Sequence, residues 1–131
     1  MFEYRVKEVP YIVDGDTVDV VIDLGFSMTT KQRIRLNGID TPETNSSDLQ
    51  ERQLALEAKK FVTEWFATTR NIHIATIKDD KYGRMLGVFH AEGSTESLND
   101  CLVRLGYAWA YDGSARIRNL QLLLEKRTSA N

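Results

Sequence analysis

Short stretches of the chain alternate between apolar and polar residues, which is the pattern of strands that bury one face. In the clearest stretch, 17–24, every second residue is apolar: Val18, Val20, Ile22 and Leu24. A looser alternation covers 4–13, and a third stretch covers 31–39. Asp14-Gly15 and Gly25 are turn signals between them. The first third of the chain is therefore predicted to be a three-stranded antiparallel meander.

The following stretch has the period of a helix. Its apolar residues lie three or four positions apart on one face: Leu54, Ala58, Phe61, Val62, Trp65 and Phe66. Ser47 and Gln50 fit a capping box in front of it. Two further strands are predicted at 71–77 and 85–89, on either side of a turn at 79–83.

The last third of the chain predicts two short helices. Ser97 is expected to cap the first, which Gly106 closes. Ser114 is expected to cap the second, whose apolar positions are Ile117, Leu120, Leu123 and Leu124. The tail 128–131 is expected to fray.

This order of elements predicts an α+β fold. Five short strands with a helix between the third and fourth match a five-stranded OB-fold β-barrel, with three α-helices in all. A length of 131 residues indicates a single domain, 1–131. Because Cys101 is the one cysteine, an internal disulfide is excluded. No apolar run is long enough to cross a bilayer, so no membrane partner is expected.

The net charge and the N-terminal sequence exclude few classes of function. The formal net charge is −2, whereas general nucleic-acid binders are more often basic. The acids are concentrated early, with nine acids and five bases in 1–50 against ten and twelve in 51–131. The N-terminus lacks the basic start and apolar core of a signal peptide. A cytoplasmic location is expected, and the mature form of a secreted protein is the alternative.

Asp40-Thr41-Pro42-Glu43 is the segment with the most distinctive chemistry. Pro42 favours an extended Thr41, which leaves the Thr41 carbonyl free to face a ligand. Asp40 and Glu43 add carboxylate oxygens, and Asp16 in the first turn is a further candidate. Oxygen ligands of this kind suit Ca²⁺ or Mg²⁺ and not Zn²⁺.

Two arginines are candidate phosphate ligands. Arg35 lies in the third predicted strand, and Arg84 follows the turn that contains Gly83. A guanidinium holds phosphate through two parallel hydrogen bonds, and Glu43 is a candidate acceptor for a proton from water. Each element also has a purely structural interpretation. The first turn is compatible with a simple hairpin, the acids with a solvated loop, and Arg35 with a surface position; the two histidines, His73 and His90, are interpreted as structural.

Three blocks in combination resemble the staphylococcal (thermonuclease) nuclease family. They are Val13–Val18, Arg35–Thr44 and Asp80–Arg84, in the family's order and at about its spacing. The similarity extends from about residue 5 to 124. It implies an OB-like barrel with three helices, Ca²⁺ dependence, and cleavage of DNA and RNA at the bond to the 5′ oxygen, which leaves 3′-phosphate ends.

The resemblance also assigns roles to residues that match the family's motifs. Phosphate binding and activation of water would fall to the catalytic residues Arg35, Glu43 and Arg84. Ca²⁺ would be bound by two carboxylates and one backbone carbonyl, those of Asp16, Asp40 and Thr41. Contacts to nucleotide would come from Lys81, Tyr82 and Tyr111.

The expected function is therefore a low-specificity nuclease of single-stranded DNA and RNA that cuts duplex less well and acts as a monomer. Two departures from the family weaken the expected nucleic-acid affinity: the loop 45–48 has no lysine, and the net charge is acidic. The main alternative is a non-catalytic OB-fold module that binds nucleic acid or protein. A generic single-strand-binding OB domain is a further alternative, but it would have no use for the acid cluster.

Overall fold

The elements follow the hydrophobic periods of the sequence. The computed structural model describes residues 2–77, 84–114 and 118–130. Within these ranges the strands are β1 (Phe2–Asp14), β2 (Thr17–Gly25), β3 (Met28–Leu36), β4 (Ile39–Asp40), β5 (Ile72–Ile77), β6 (Met85–Ala91) and β7 (Trp109–Ala110). The helices are α1 (Leu49–Thr68), α2 (Leu98–Arg104) and α3 (Leu120–Ala130). None of these helices is long and apolar enough to cross a membrane.

Five of these strands close into a barrel in the order β1-β2-β3-β6-β5. The first three form an antiparallel meander. β3 and β6 run parallel, and β5 pairs antiparallel with both β6 and β1. Helix α1 connects the third barrel strand to the fourth, through β4. The predicted α+β class and five-stranded OB-type barrel with three helices are thus confirmed over the described residues.

The inward positions of the alternating strands form the core. Its fully buried members from the barrel include Val18, Val20, Ile34, Leu36, Ile74 and Phe89. Helix α1 adds Val62, and Phe66 packs edge-on against Phe89 with ring centroids 5.1 Å apart. Burial of each aliphatic side chain of this size contributes about 1.5–3 kcal/mol. The barrel is therefore a packed scaffold, and the polar chemistry lies at its rim.

The third strand ends earlier than the predicted 31–39. β3 stops at Leu36, and Gly38 adopts a left-handed backbone (φ +81°) that turns the chain away from the barrel. The next two residues form β4, which pairs with β7. In that small sheet Asp40 lies opposite Trp109. The turn thus moves Asp40 out of the barrel wall and towards the segment that precedes α3.

A buried asparagine fastens this turn to the barrel. Asn99 of α2 donates from Nδ2 to the carbonyls of Asn37 (2.8 Å) and Gly87 (3.0 Å). Its Oδ1 accepts the N–H of Phe89 at 3.3 Å. A buried amide that satisfies donor and acceptor together stabilises one local arrangement. The turn that leads into β4 is therefore held in place by α2.

Two predicted helix starts were wrong, and one was right. Helix α1 is capped by Asp48 and not by Ser47, because the Asp48 carboxylate accepts the N–H groups of Gln50 (2.9 Å) and Glu51 (3.4 Å). A carboxylate also interacts favourably with the positive end of the helix dipole. Ser97 caps α2 as predicted and accepts the N–H of Asp100 at 2.9 Å.

The last helix begins at Leu120, six residues after the predicted cap at Ser114. Ser114 instead bonds to the Asp112 carboxylate through its N–H and its hydroxyl. Asn119 supplies the local acceptor, since its Oδ1 binds the N–H of Gln121 at 3.0 Å. The predicted inward residue Ile117 lies outside the described residues. Residues 128–130, for which the sequence predicted fraying, lie in the last turn of α3.

Candidate active site

The β1–β2 turn presents Asp16 at the rim of the barrel. The N–H of Asp16 donates to Asp14 Oδ1 (3.1 Å), and the Thr17 hydroxyl donates to Asp16 Oδ1 (3.0 Å). Between them, Gly15 lies so close to α1 and the Thr41 segment that an added Cβ would meet Ala58 Cβ at 3.0 Å and Thr41 Cγ2 at 3.1 Å. The glycine therefore lets this turn approach both neighbours, and the motif is more than a simple hairpin.

Arg35 is buried at the end of β3, with 7% of its surface exposed. Its Nη1 donates to the carbonyls of Leu36 (3.0 Å) and Ile39 (3.1 Å), on either side of the Gly38 turn. Its Nη2 lies 3.7 Å from Asp16 Oδ2 and 3.5 Å from Asp40 Oδ1. The surface alternative for Arg35 was wrong, because its side chain faces two carboxylates at the rim.

Asp40 and Thr41 complete this buried group, each with 3% of its surface exposed. β4 positions Asp40, and the following Thr41 N–H lies 3.4 Å from Asp16 Oδ2. The residues predicted to bind a cation, which come from two segments of the chain, therefore lie around Arg35 from a third segment. We call Asp16, Arg35, Asp40 and Thr41 the rim cluster.

Burial and neighbouring charge shift the pKa values of the two acids of the first turn, Asp14 and Asp16, in opposite directions. Burial, with a hydrogen bond and the charge of Asp16 adding to it, raises the pKa of Asp14 to about 7. Burial alone would raise the pKa of Asp16 as well. The hydrogen bond from Asp14 and the positive charge of Arg35 outweigh that effect and lower the pKa of Asp16. Asp16 is consequently the charged member of the pair, and a protonated Asp14 can donate to it.

The rim cluster fits a hard divalent cation by the chemistry of its donors. Its two carboxylates and the backbone carbonyl of Thr41 are all oxygen ligands, which Ca²⁺ prefers. Within the described residues, no three side chains of histidine, cysteine, aspartate or glutamate converge as a metal group. Two carboxylates and one carbonyl would leave the remaining coordination positions of such a cation to solvent.

Glu43 lies beside the rim cluster, on a loop that leads into α1. Its side chain is half exposed, at 52%. Its N–H donates to Glu51 Oε2 at 2.9 Å, and its Oε1 lies 3.7 Å from Arg118 Nη1. Glu43 is thus accessible to solvent while its backbone is anchored to the first turn of α1.

Arg84 and Tyr111 lie next to strands that border the same rim. Arg84 directly precedes β6, whose Leu86 is the register partner of Arg35 on β3. Tyr111 follows β7, and its N–H donates to the carbonyl of Gly38 at 2.8 Å. Lys81 and Tyr82 lie outside the described residues, so their predicted nucleotide contacts stay predictions.

Sequence reasoning missed two residues that contact these acids. Arg118 Nη1 lies 3.1 Å from Asp40 Oδ2, and Arg118 Nη2 bonds to Glu51 Oε2. Burial would raise the pKa of Glu51, but the N–H of Glu43 and the guanidinium of Arg118 outweigh it and lower that pKa. The hydrophobic pattern of α1 places Glu51 among its polar residues and gives it no special role. No spacing rule relates residue 118 to residue 40, so the sequence contains no motif that would have identified Arg118.

Comparison with known proteins finds similarity over most of the chain. The family model described as Staphylococcal nuclease homologue matches residues 33–130, which include most of the rim cluster. The chain belongs to the staphylococcal nuclease family. The relation supports a nuclease-type function in the broad sense.

Several similar proteins are longer than this chain. A protein named Micrococcal nuclease from Shigella flexneri is 33% identical over 111 residues, which cover 79% of this chain and 57% of the relative. Protein ParB from Escherichia coli is 31% identical over 125 residues, covering 88% of this chain and 63% of the relative. An uncharacterized protein from Bacillus anthracis is 30% identical over 102 residues. The chain therefore spans less than two thirds of the length of these relatives.

Proposed function

We propose that this member of the family is a Ca²⁺-dependent phosphodiesterase that hydrolyses DNA and RNA with low sequence specificity and leaves 3′-phosphate ends. The observation that carries the proposal is the convergence of Asp16, Arg35 and Asp40 at the rim of the barrel, with Nη2 of Arg35 within 3.7 Å of both carboxylates. Buried charges of both signs are costly to assemble. A cluster of this kind is therefore more consistent with a catalytic role than with a purely structural one.

In the proposed reaction, water attacks phosphorus and the bond from phosphorus to the 5′ oxygen breaks. Glu43 accepts a proton from the attacking water, which its solvent exposure permits. The released 5′ oxygen takes a proton from solvent. Arg35 and Arg84 bind the phosphoryl oxygens and stabilise the negative charge that increases in the transition state. Arg35 is suited to this because its other nitrogen is fixed by two backbone carbonyls.

Asp16, Asp40 and the Thr41 carbonyl are the residues that would hold Ca²⁺. The bound ion would supply positive charge next to the phosphate and orient the attacking water. This assignment leaves Glu43 available for the proton, because the two aspartates and the carbonyl suffice for the protein's share of the ligands. The binding-module alternative has no comparable use for a buried arginine between two buried aspartates.

The test is hydrolysis of a labelled single-stranded oligonucleotide by purified protein, with Ca²⁺ or with excess EDTA. We expect cleavage with Ca²⁺, background with EDTA, and little turnover with Mg²⁺, which gives up its water shell reluctantly. The Glu43→Gln variant should cleave about a hundredfold more slowly, because an amide cannot accept the proton. Since a contaminating nuclease would be unaffected by this substitution, Glu43→Gln also serves as the purity control.

Two results would contradict the proposal. Undiminished cleavage in excess chelator would exclude the metal-dependent mechanism. Absence of cleavage by folded wild-type protein under all metal conditions, together with retained binding of the oligonucleotide, would favour the binding module instead.

A further inference from the structure

Arg118 holds together the acids that surround the candidate catalytic base. Its Nη1 lies 3.1 Å from Asp40 Oδ2 and 3.7 Å from Glu43 Oε1, while its Nη2 bonds to Glu51 Oε2. One guanidinium therefore bridges three carboxylates from β4, the following loop and α1. Asp40, Glu43 and Glu51 would otherwise repel one another across a partly buried space.

The bridge is coupled directly to the backbone of Glu43. The same Glu51 oxygen that binds Arg118 also accepts the N–H of Glu43, at 2.9 Å. An acceptor that is itself held by a fixed guanidinium has less freedom to leave its N–H donor. The contact of Arg118 with Glu51 is therefore one hydrogen bond away from the backbone of the loop that carries Glu43.

Arg118 is itself fixed by its surroundings. Its guanidinium lies over the ring of Trp109 at 5.3 Å from the centroid, which is the range of a cation–π contact. Trp109 Nε1 donates to the carbonyl of the adjacent Asn119 at 3.0 Å, and the backbone of Trp109 is the register partner of Asp40. Arg118 is therefore attached, through Trp109, to the strand that carries Asp40.

We propose that Arg118 is a positioning residue: by binding Glu51 and Asp40 together, it fixes the loop that presents Glu43 to the attacking water. The inference rests on the nuclease function proposed above. It assigns the segment before α3 a role in turnover, although that segment lies far from the catalytic motifs in the sequence.

The first test measures the loop directly and requires no activity. Amide hydrogen exchange of Glu43 should be about tenfold faster in Arg118→Ala than in wild type, because Glu51 is released. The amide of Leu36, which bonds to the Asp16 carbonyl at 2.8 Å, is the internal reference and should be unchanged. Equal exchange at Glu43 in the two proteins would overturn the proposal, whether or not the protein is a nuclease.

The second test separates positioning from general stability through kinetics. Arg118→Ala should lower kcat by about ten- to a hundredfold with a much smaller change in KM, as expected when a catalytic group is misplaced by about 1 Å. Arg118→Lys should recover part of the loss, since a lysine retains the charge but cannot bridge two acids with a planar fork. An unchanged or increased kcat in Arg118→Ala would instead indicate that Arg118 only obstructs the cation site.

Arg127→Ala is the matched control, because Arg127 docks the same terminal region without touching the rim cluster. It pairs with Glu57, donates to the Gly106 carbonyl and lies over Tyr107. At a temperature where every variant is folded, its kcat should stay close to the wild-type value. If Arg127→Ala loses as much kcat as Arg118→Ala, the effect is loss of helix docking and the positioning role is rejected.

A double-mutant cycle tests the path through Glu51. If Arg118 acts by holding Glu51, then Arg118→Ala combined with Glu51→Ala should lower kcat little more than either single change. Losses in kcat that multiply fully would show that the two residues act independently, which would contradict this mechanism.

Discussion

The burial of Arg35 shows how a charged side chain acquires a fixed orientation at the rim. Two carbonyls at the Gly38 turn occupy one nitrogen, and two carboxylates face the other. A buried guanidinium would be costly without such partners. Because these partners are present, the side chain is held in one orientation, as the proposed electrostatic role towards phosphate would require.

Replacing Arg35 by lysine tests this orientation. Arg35→Lys keeps the charge but loses the planar fork, so turnover should fall by about a hundredfold or more. The melting temperature should also fall, because one ammonium cannot satisfy both carbonyls and both acids. Turnover and thermal melting are measured together. Arg33→Lys, on the exposed side of the same strand and paired with Asp19, is the control and should change neither substantially.

At the level of single elements, the cap of α1 is tied to the candidate site. The Asp48 carboxylate binds two N–H groups of the first turn, and that turn carries Glu51, which holds the backbone of Glu43. The start of α1 and the position of the loop that carries Glu43 are therefore coupled.

Loss of this cap should be measurable as a loss of stability. Asp48→Ala should lower the free energy of unfolding by about 1 kcal/mol, the usual cost of removing an N-cap side chain. Ser47→Ala, one residue earlier, should have little effect because Ser47 is not the cap. Denaturant unfolding of both variants compares them. A larger loss in Ser47→Ala than in Asp48→Ala would contradict the assignment.

Helix α3 is fastened to α1 by an ion pair that should make stability depend on pH. The Gln53 amide and the Arg127 guanidinium lower the pKa of Glu57 from its ordinary value of 4.5. Because the pKa is lower in the folded state, the stabilisation is fully present above the ordinary range and is lost as pH falls through the folded value.

The comparison of wild type with Glu57→Gln measures this contribution. Wild type should melt at a higher temperature than Glu57→Gln near neutral pH, and the difference should shrink in acid. In an Arg127→Ala background, the neutral-pH difference should already be smaller, since the charged partner is absent. A difference that is independent of pH would show that Glu57 acts through packing alone.

On the scale of the whole molecule, the net charge of −2 provides no general attraction for nucleic acid. The proposed affinity for nucleic acid must then come from local groups at the rim, of which Arg35 and Arg84 are the proposed phosphate ligands. OB-type surfaces bind unstacked bases, whereas reading a duplex in its grooves is usually the task of an inserted helix or ribbon. We therefore propose single-stranded DNA and RNA as the preferred substrates.

Initial rates on one labelled strand, alone and annealed to a G·C-rich complement, test this preference. The single strand should be cut faster than the same sequence in duplex form. Added monovalent salt should slow cleavage of both, because phosphate binding releases counterions. Equal rates on the two forms, or rates that are insensitive to salt, would contradict substrate binding through phosphates at this rim.

The barrel and the identity of most rim residues could be predicted from the sequence alone. Alternating runs such as 17–24 have one arrangement that buries their apolar face, and the period of α1 does the same for a helix. These are local patterns, so a single sequence suffices to read them. The family motifs likewise named Asp16, Arg35 and Asp40, because those residues lie within short conspicuous blocks.

The contacts that hold the rim together could be identified only in the three-dimensional structure. The left-handed Gly38 turns Asp40 towards Trp109, which brings Arg118 to Asp40 across 78 positions of sequence. Contacts of this range depend on the closure of the barrel and on the docking of α3, and neither leaves a periodic signal along the chain. The cap at Asp48 and the start of α3 were missed for a related reason. Several adjacent polar residues can serve as a cap, and packing of the helix selects among them.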